Sequence, residues 1–182
     1  MTIRGRDGDV LRYENENGAT ARCLRSQAYW PVLLGASGSF FGNRPMWLFD
    51  SGWQAALNSV GARSMTLYRK LFLSRAWERL VPDTAVLASG QGALGPDYAA
   101  AARASDGSSV IVYTPLQKSL TVNMAKVAGT TARAWWFDPV AGTATSIGDF
   151  ATTGTRVFTP PAAQDWVLVI DNASLNLPAP GQ

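Results

Sequence analysis

Residues 80–88, LVPDTAVLA, are where the hydrophobic period of this chain changes. Upstream of Val81-Pro82-Asp83 the apolar residues recur at helical spacing; downstream they alternate. Working backwards, Met65, Tyr68, Leu71 and Phe72 mark one face of a helix that ends near Arg75. Before it, Trp53, Ala56, Leu57 and Val60 follow i, i+3, i+4, i+7 on a separate helix capped by Asp50 or Ser51, with Gly61 as the interruption. Residues 44–49, RPMWLF, read as a short buried strand. Thr20 caps an earlier helix with Leu24, Ala28, Val32 and Gly35 on one side; Pro31 inside it predicts a kink, or a start near Ser26.

Working forwards, the period of two gives eight strands at 84–88, 98–104, 109–114, 120–123, 132–138, 143–147, 156–159 and 166–171. Asp106-Gly107, Asp138-Pro139 with Gly142, and Pro160-Pro161 separate them as turns. Short strands with turns at such spacing predict an antiparallel β-sandwich. The expected class is α+β: a mostly helical first part followed by a sandwich. The expected divisions are 1–12, 13–83, 84–173 and a frayed tail at 174–182.

Composition narrows the function. At 47 % hydrophobic and 16 % charged the chain has the makings of a packed core. Its longest nearly apolar run, residues 28–36, is far short of the roughly 20 residues of a membrane span. MTIRGRDGDV lacks the apolar core of an export signal, and composition leaves the compartment undetermined. The absence of histidine excludes a Ser-His-Asp triad and imidazole metal ligands, and a single cysteine excludes an internal disulfide. Hydrolysis would have to rely on carboxylates, Tyr, Lys, or a hard cation such as Ca²⁺ held by oxygens. Residues 1–83 hold eleven Lys and Arg against seven Asp and Glu, yet the Arg residues are dispersed, which argues against nucleic-acid binding.

Two stretches concentrate chemistry. Glu14-Asn15-Glu16-Asn17 is the densest polar group: Glu14 and Glu16 are candidate catalytic carboxylates, or Ca²⁺ ligands together with Asp7 or Asp9. The bland alternative is a solvated loop leading into the first helix. In Trp135-Trp136-Phe137-Asp138 successive aromatics face opposite sides of a strand, so an exposed Trp136, with Asp138 beside it, could stack on a sugar or on a partner's proline-rich surface; the commoner reading is packing against the helical layer. Gly35-Ala36-Ser37-Gly38-Ser39 is not a nucleophile elbow, since GxSxG requires Gly at 39.

The segment YENENGATARCLRSQAYWPVLLGASGSFFGNRPMWLF (13–49), with Gly52-Trp53, Leu57, Ser59, Gly61-Ala62, Met65 and SRAWERLVPD (74–83), resembles the apiosidase-like glycoside hydrolases. Tyr98 to Arg103, Asp106-Gly107, Val112-Tyr113, WWFDPVAG and QDWVLVID extend the resemblance to about Ala173. It implies the last βα units of a (β/α)8 barrel followed by a β-sandwich described as a collagen-binding domain. It also implies that Tyr13 and Glu14 lie near the sugar cleft, and that relatives are exported.

Three departures bear on activity. Most of the barrel is missing from this sequence. The family pattern Glu-x-x-Tyr-Glu puts its first carboxylate where Val10 stands, and Gly38-Ser39 replaces the family's Gly-His. Glycosidases require a carboxylate pair. The expectation is therefore a truncated glycoside hydrolase-like protein with an accessory sandwich. The alternatives are a carboxylate- or Ca²⁺-dependent hydrolase of small esters or lactones, and a glycan- or protein-binding module. Apolar faces left open by the missing strands predict a homo-oligomer.

Overall fold

A computed structural model of the chain describes residues 13–15 and 18–182. Glu16, Asp7, Asp9, Val10 and the whole stretch 1–12 lie outside the described residues. Helices α1 (Ala21–Leu33), α2 (Arg44–Leu48), α3 (Trp53–Ala56) and α4 (Val60–Leu73) come first. Strands β1 (Leu80–Pro82), β2 (Leu87–Ser89), β3 (Ala100–Ala104), β4 (Ser109–Thr114), β5 (Leu120–Asn123), β6 (Thr131–Phe137), β7 (Ala144–Ala151), β8 (Thr155–Phe158) and β9 (Trp166–Asn172) follow. The class is α+β, with helices followed by two antiparallel sheets, of order β1-β3-β4-β9-β6-β7 and β2-β5-β8.

The six-stranded sheet is the middle of three layers. Along β4, Val110 and Val112 face the three-stranded sheet, while Ile111 and Tyr113 face α1 and α4. Its neighbour β9 divides the same way, with Leu168 and Ile170 on one side and Val167 and Val169 on the other. Both faces of these strands are covered, so SVIVYT is buried throughout and shows no polar alternation. On the helical side Tyr29 stacks on Tyr113 with ring centroids 4.7 Å apart, and Leu33, Leu71 and Phe72 complete the layer.

Local chemistry explains where the elements differ from the periodicity. Residues 44–48 form a helix and not a strand, closed by Phe49 in a left-handed conformation; Pro45 sits in its first turn, where the missing N–H costs nothing. Helix α3 stops at Ala56, and Ser59 caps α4 by accepting the Ala62 N–H (3.1 Å), so Gly61 lies inside the first turn. Thr20 caps α1 through the Cys23 N–H (3.2 Å), and the helix runs on through Pro31 for two more residues. Asp83 accepts the Ala85 N–H and starts a 3-10 turn at Thr84–Val86, so strand β2 begins only at Leu87. Residues 80–82 already belong to the sheet, as its edge strand beside β3.

The tail is not frayed. Arg75 Nη2 donates to the Pro178 carbonyl (3.0 Å), the Gly181 N–H donates to Ser74 Oγ (3.0 Å), and Pro180 is buried.

Two buried ion pairs join the layers. Arg25, on α1, grips Asp165 with Nε and Nη2, both at 2.7 Å, and Asp165 also accepts from the Tyr113 hydroxyl (3.1 Å). Arg75, just beyond α4, grips Asp171 at 2.9 and 2.7 Å, and Ser109 Oγ donates to the same carboxylate. All four charged side chains are buried. Burial works against the Arg25 charge, but hydrogen bonds and attraction from Asp165 outweigh it and raise the Arg25 pKa. Burial first, and the Asp165 charge next, push the Tyr113 hydroxyl well above the ordinary phenol range.

Removing one partner of such a pair strands a buried charge. Arg25→Met is expected to lower unfolding stability by about 3–5 kcal/mol. Arg25→Met combined with Asp165→Leu should recover most of that loss, read from urea unfolding midpoints. Deleting residues 176–182 removes both tail contacts and should cost about 1–3 kcal/mol, a fall of roughly 2–10 °C in thermal midpoint by circular dichroism.

Candidate functional site

Polar chemistry converges where Tyr13-Glu14 meets the segment before α2. The Glu14 N–H donates to the Gly42 carbonyl (3.0 Å) and the Arg44 N–H to the Glu14 carbonyl (3.3 Å), forming a parallel bridge between Glu14 and Asn43. Helix α1 connects the two, so a one-residue parallel bridge closes a helical crossover, the connection that joins parallel strands. Side chains at the carboxyl ends of such strands are where parallel α/β folds place their chemistry.

The Glu14 side chain turns into this junction and is 9 % exposed. Its Oε1 accepts the Gly61 N–H (2.8 Å), and its Oε2 accepts from Asn43 Nδ2 (2.8 Å) and Ser59 Oγ (2.5 Å). Gly61 lies in the first turn of α4, so the carboxylate sits where the helix leaves N–H groups unpaired and its dipole is positive. Ser59 serves three partners at once, giving its proton to Glu14 and accepting from the Ala62 N–H and from Asn43 Nδ2 (3.3 Å). Asn43 is 2 % exposed, and its Oδ1 has no hydrogen-bond partner among the described residues.

An open cleft of about 480 Å³ lies alongside, lined by residues including Glu14, Asn15, Gly18, Leu24 and Val60. Glu14 is its sole carboxylate among the described residues. That carboxylate already accepts from three protein donors, two on Oε2 and one on Oε1. Among the described residues no group of three or more His, Cys, Asp and Glu is placed to hold a metal ion.

Of the residues singled out from the sequence, Tyr13 and Glu14 come together here. The Tyr13 ring packs 4.7 Å from that of Trp47. Glu16 is outside the described residues. Trp136 is elsewhere and is not exposed: at 4 % exposure it sits between the two sheets, with its ring edge-on to Trp166 at 6.2 Å. The opposite face of that strand is covered by helices, so Trp135 on that side is also partly buried. Asp138 closes the turn between β6 and β7, its Oδ1 accepting from Val140 N (2.7 Å) and Ala141 N (3.0 Å).

Sequence reasoning missed Asn43, Ser59 and Gly61. The available signals were Asn43 two residues before Pro45, and Ser59 ahead of an apolar helical run. A Cβ added to Gly61 would stand 2.5 Å from Glu14 Oε2 and 2.7 Å from Phe41 Cε2. Gly61→Ala is therefore expected to cost about 1–3 kcal/mol. Glu14→Gln turns an acceptor oxygen into a donor facing donors and should cost a similar amount, about 1–3 kcal/mol. The double substitution should cost less than the sum of the two, measured by urea unfolding.

Comparison with known proteins places this geometry. Residues 6–79 match the family described as "Apiosidase-like, catalytic domain", so the match starts ahead of Tyr13 and includes Val10. Residues 81–171 match the family described as "Putative collagen-binding domain of a collagenase". No curated protein sequence matches. A solved structure titled "Glycoside hydrolase" is 27 % identical with a TM-score of 0.78, covering 86 % of this chain and 38 % of its own. A glycoside hydrolase family 5 structure from Bacteroides vulgatus ATCC 8482 is 24 % identical, with a TM-score of 0.77 and coverages of 85 % and 37 %. The chain thus spans well under half the length of these solved proteins. It is glycoside hydrolase-like: matched over half its length, it belongs to the family of that sandwich domain, preceded by a segment similar to an apiosidase-like catalytic domain.

Proposed function

We propose that these residues form a scaffold of a glycoside hydrolase-like protein, a barrel end with an accessory sandwich, and do not by themselves complete a catalytic carboxylate pair. The observation that carries this reading is the state of Glu14. It faces the cleft as the only carboxylate among the described lining residues, and three donors hold it. Cleavage of a glycosidic bond needs an acid and a nucleophile or base on opposite sides of the bond. Glu14 instead ties two strand ends to the start of α4, which is the work of a positioning group. The accessory reading of the sandwich rests on its attachment. Its central sheet is also the floor under α1 and α4, so it cannot swing independently as a tethered binding module would.

The purified chain is expected to show no turnover of aryl glycosides or of branched pectic polysaccharide, and Glu14→Gln should leave that result unchanged. Release of sugar at an ordinary enzymatic rate would overturn the proposal. So would calcium-restored, chelator-sensitive cleavage of an aryl ester or lactone that is lost in Glu14→Gln, because Glu14 would then be a reacting group. Retention on a polysaccharide or collagen column without turnover would support the accessory role.

A further inference from the structure

We infer that Asp165, the sandwich carboxylate just ahead of β9, is a positioning residue for Glu14: through Arg25 it sets where the first turn of α4 stands against the Glu14 carboxylate. The inference does not depend on whether Glu14 reacts, because it concerns what holds that group in place.

The seam between α1 and α4 links the two sites. Arg25 meets Ser64, with Nη1 3.5 Å from Oγ, and one turn further on the Tyr29 ring meets that of Tyr68 edge-on at 5.1 Å. Each step advances four residues on both helices, so α1 and α4 run side by side in the same direction and in one register. One turn back along α4 from Ser64 stands Gly61, whose N–H donates to Glu14 Oε1 (2.8 Å). Gly61 and Ser64 are both buried and, three residues apart, lie on one face of the helix.

Asp165 fixes this register from outside the helices. Arg25 spends Nε and Nη2 on the two oxygens of Asp165, both at 2.7 Å, and turns Nη1 to α4. The guanidinium is planar and rigid, so clamping one edge on the carboxylate also aims the remaining nitrogen. The Tyr113 hydroxyl lies 3.1 Å from Asp165 Oδ2 and 3.0 Å from Ser26 Oγ, which ties the same carboxylate to α1 beside Arg25. Arg25 and Asp165 are 5 % and 1 % exposed, so the pair cannot exchange these bonds for water without opening the seam.

The other end of the link is equally tight. Of the three donors to Glu14, Ser59 caps α4 and Gly61 lies in its first turn, so two of them move with that helix. A slip of α4 along the seam would draw both away from the carboxylate. The second ion pair is placed differently. Arg75 follows the last turn of α4, roughly 20 Å along the axis from Gly61, and so anchors the far end of the helix.

Double-substitution cycles in the full chain test this. Once Asp165→Asn has loosened the register, Glu14→Gln should cost less. The unfolding constant of the pair should therefore fall short of the product of the single effects by about fivefold or more, the lower end of coupling between sites. Glu14→Gln with Asp171→Asn, at the other end of β9, should multiply to within about twofold. Amide exchange by NMR gives the local reading: Asp165→Asn should speed exchange at Gly61 at least about fivefold more than Asp171→Asn does. If Asp165→Asn fails to fold, Ser64→Ala decides, since it keeps the ion pair and removes the Arg25 contact with α4. Exchange at Gly61 should again rise, with the urea midpoint little changed. A multiplicative Glu14–Asp165 cycle would overturn the inference. So would equal effects of the two aspartates at Gly61, or wild-type exchange there in Ser64→Ala.

Discussion

Strand β9 carries a carboxylate at each end, and both are gripped by arginines from the helical layer. Asp165 stands one residue before β9 and Asp171 near its finish, about 20 Å apart at the usual rise per residue. Arg25 reaches the first from α1, and Arg75 reaches the second from just beyond α4. Apolar burial between helices and sheet drives the layers together but is indifferent to direction. Two bidentate pairs at opposite ends of one central strand supply the missing information: which way the helices run across the sheet, and how far along. They also explain why the tail is ordered, because the guanidinium that holds Asp171 also binds the Pro178 carbonyl.

This arrangement shows which parts of the fold could be read from the sequence. The run at 109–114 was legible as a strand because both of its faces are covered, leaving an unbroken apolar stretch between turn signals. Asp138-Pro139 with Gly142 was legible because the turn chemistry is local: Asp138 accepts from the two N–H groups that follow Pro139. Residues 44–49 misled because apolar content alone does not separate a short strand from a short helix, and Pro45, in the first turn, was the one local signal for the helix. Trp136 misled for a different reason. Alternation shows that two adjacent tryptophans face opposite sides, but not which of them faces the second sheet: Trp136 does, and the helical layer covers Trp135 on the other side. Contacts such as Arg25–Asp165 span 140 residues and leave no local trace.

The Glu14 junction was half legible. A cluster of acid and amide residues before a helix flagged the place, and resemblance assigned it to the end of a barrel strand. What the carboxylate does depends on donors 29, 45 and 47 residues away, brought to it only by the parallel bridge and the start of α4. Spacing cannot anticipate that convergence, though Gly61 records it: a side chain there would intrude on both Glu14 and Phe41.

Helices α1 and α4 are thus secured from two sides by unlike means. Towards the sandwich they have a broad apolar contact and two ion pairs. Towards the strand ends, α4 is held chiefly through one carboxylate at its first turn. In a closed barrel the strands themselves would form that second surface, and a carboxylate at their carboxyl ends could be spared for chemistry. Here Glu14 joins Asn43, Ser59 and Gly61, so a change of charge or geometry at its carboxylate would be felt at the start of α4. The carboxylate oxygens that any chemistry would use are the same ones that fasten Asn43 to the start of α4, 2.5–2.8 Å from three donors.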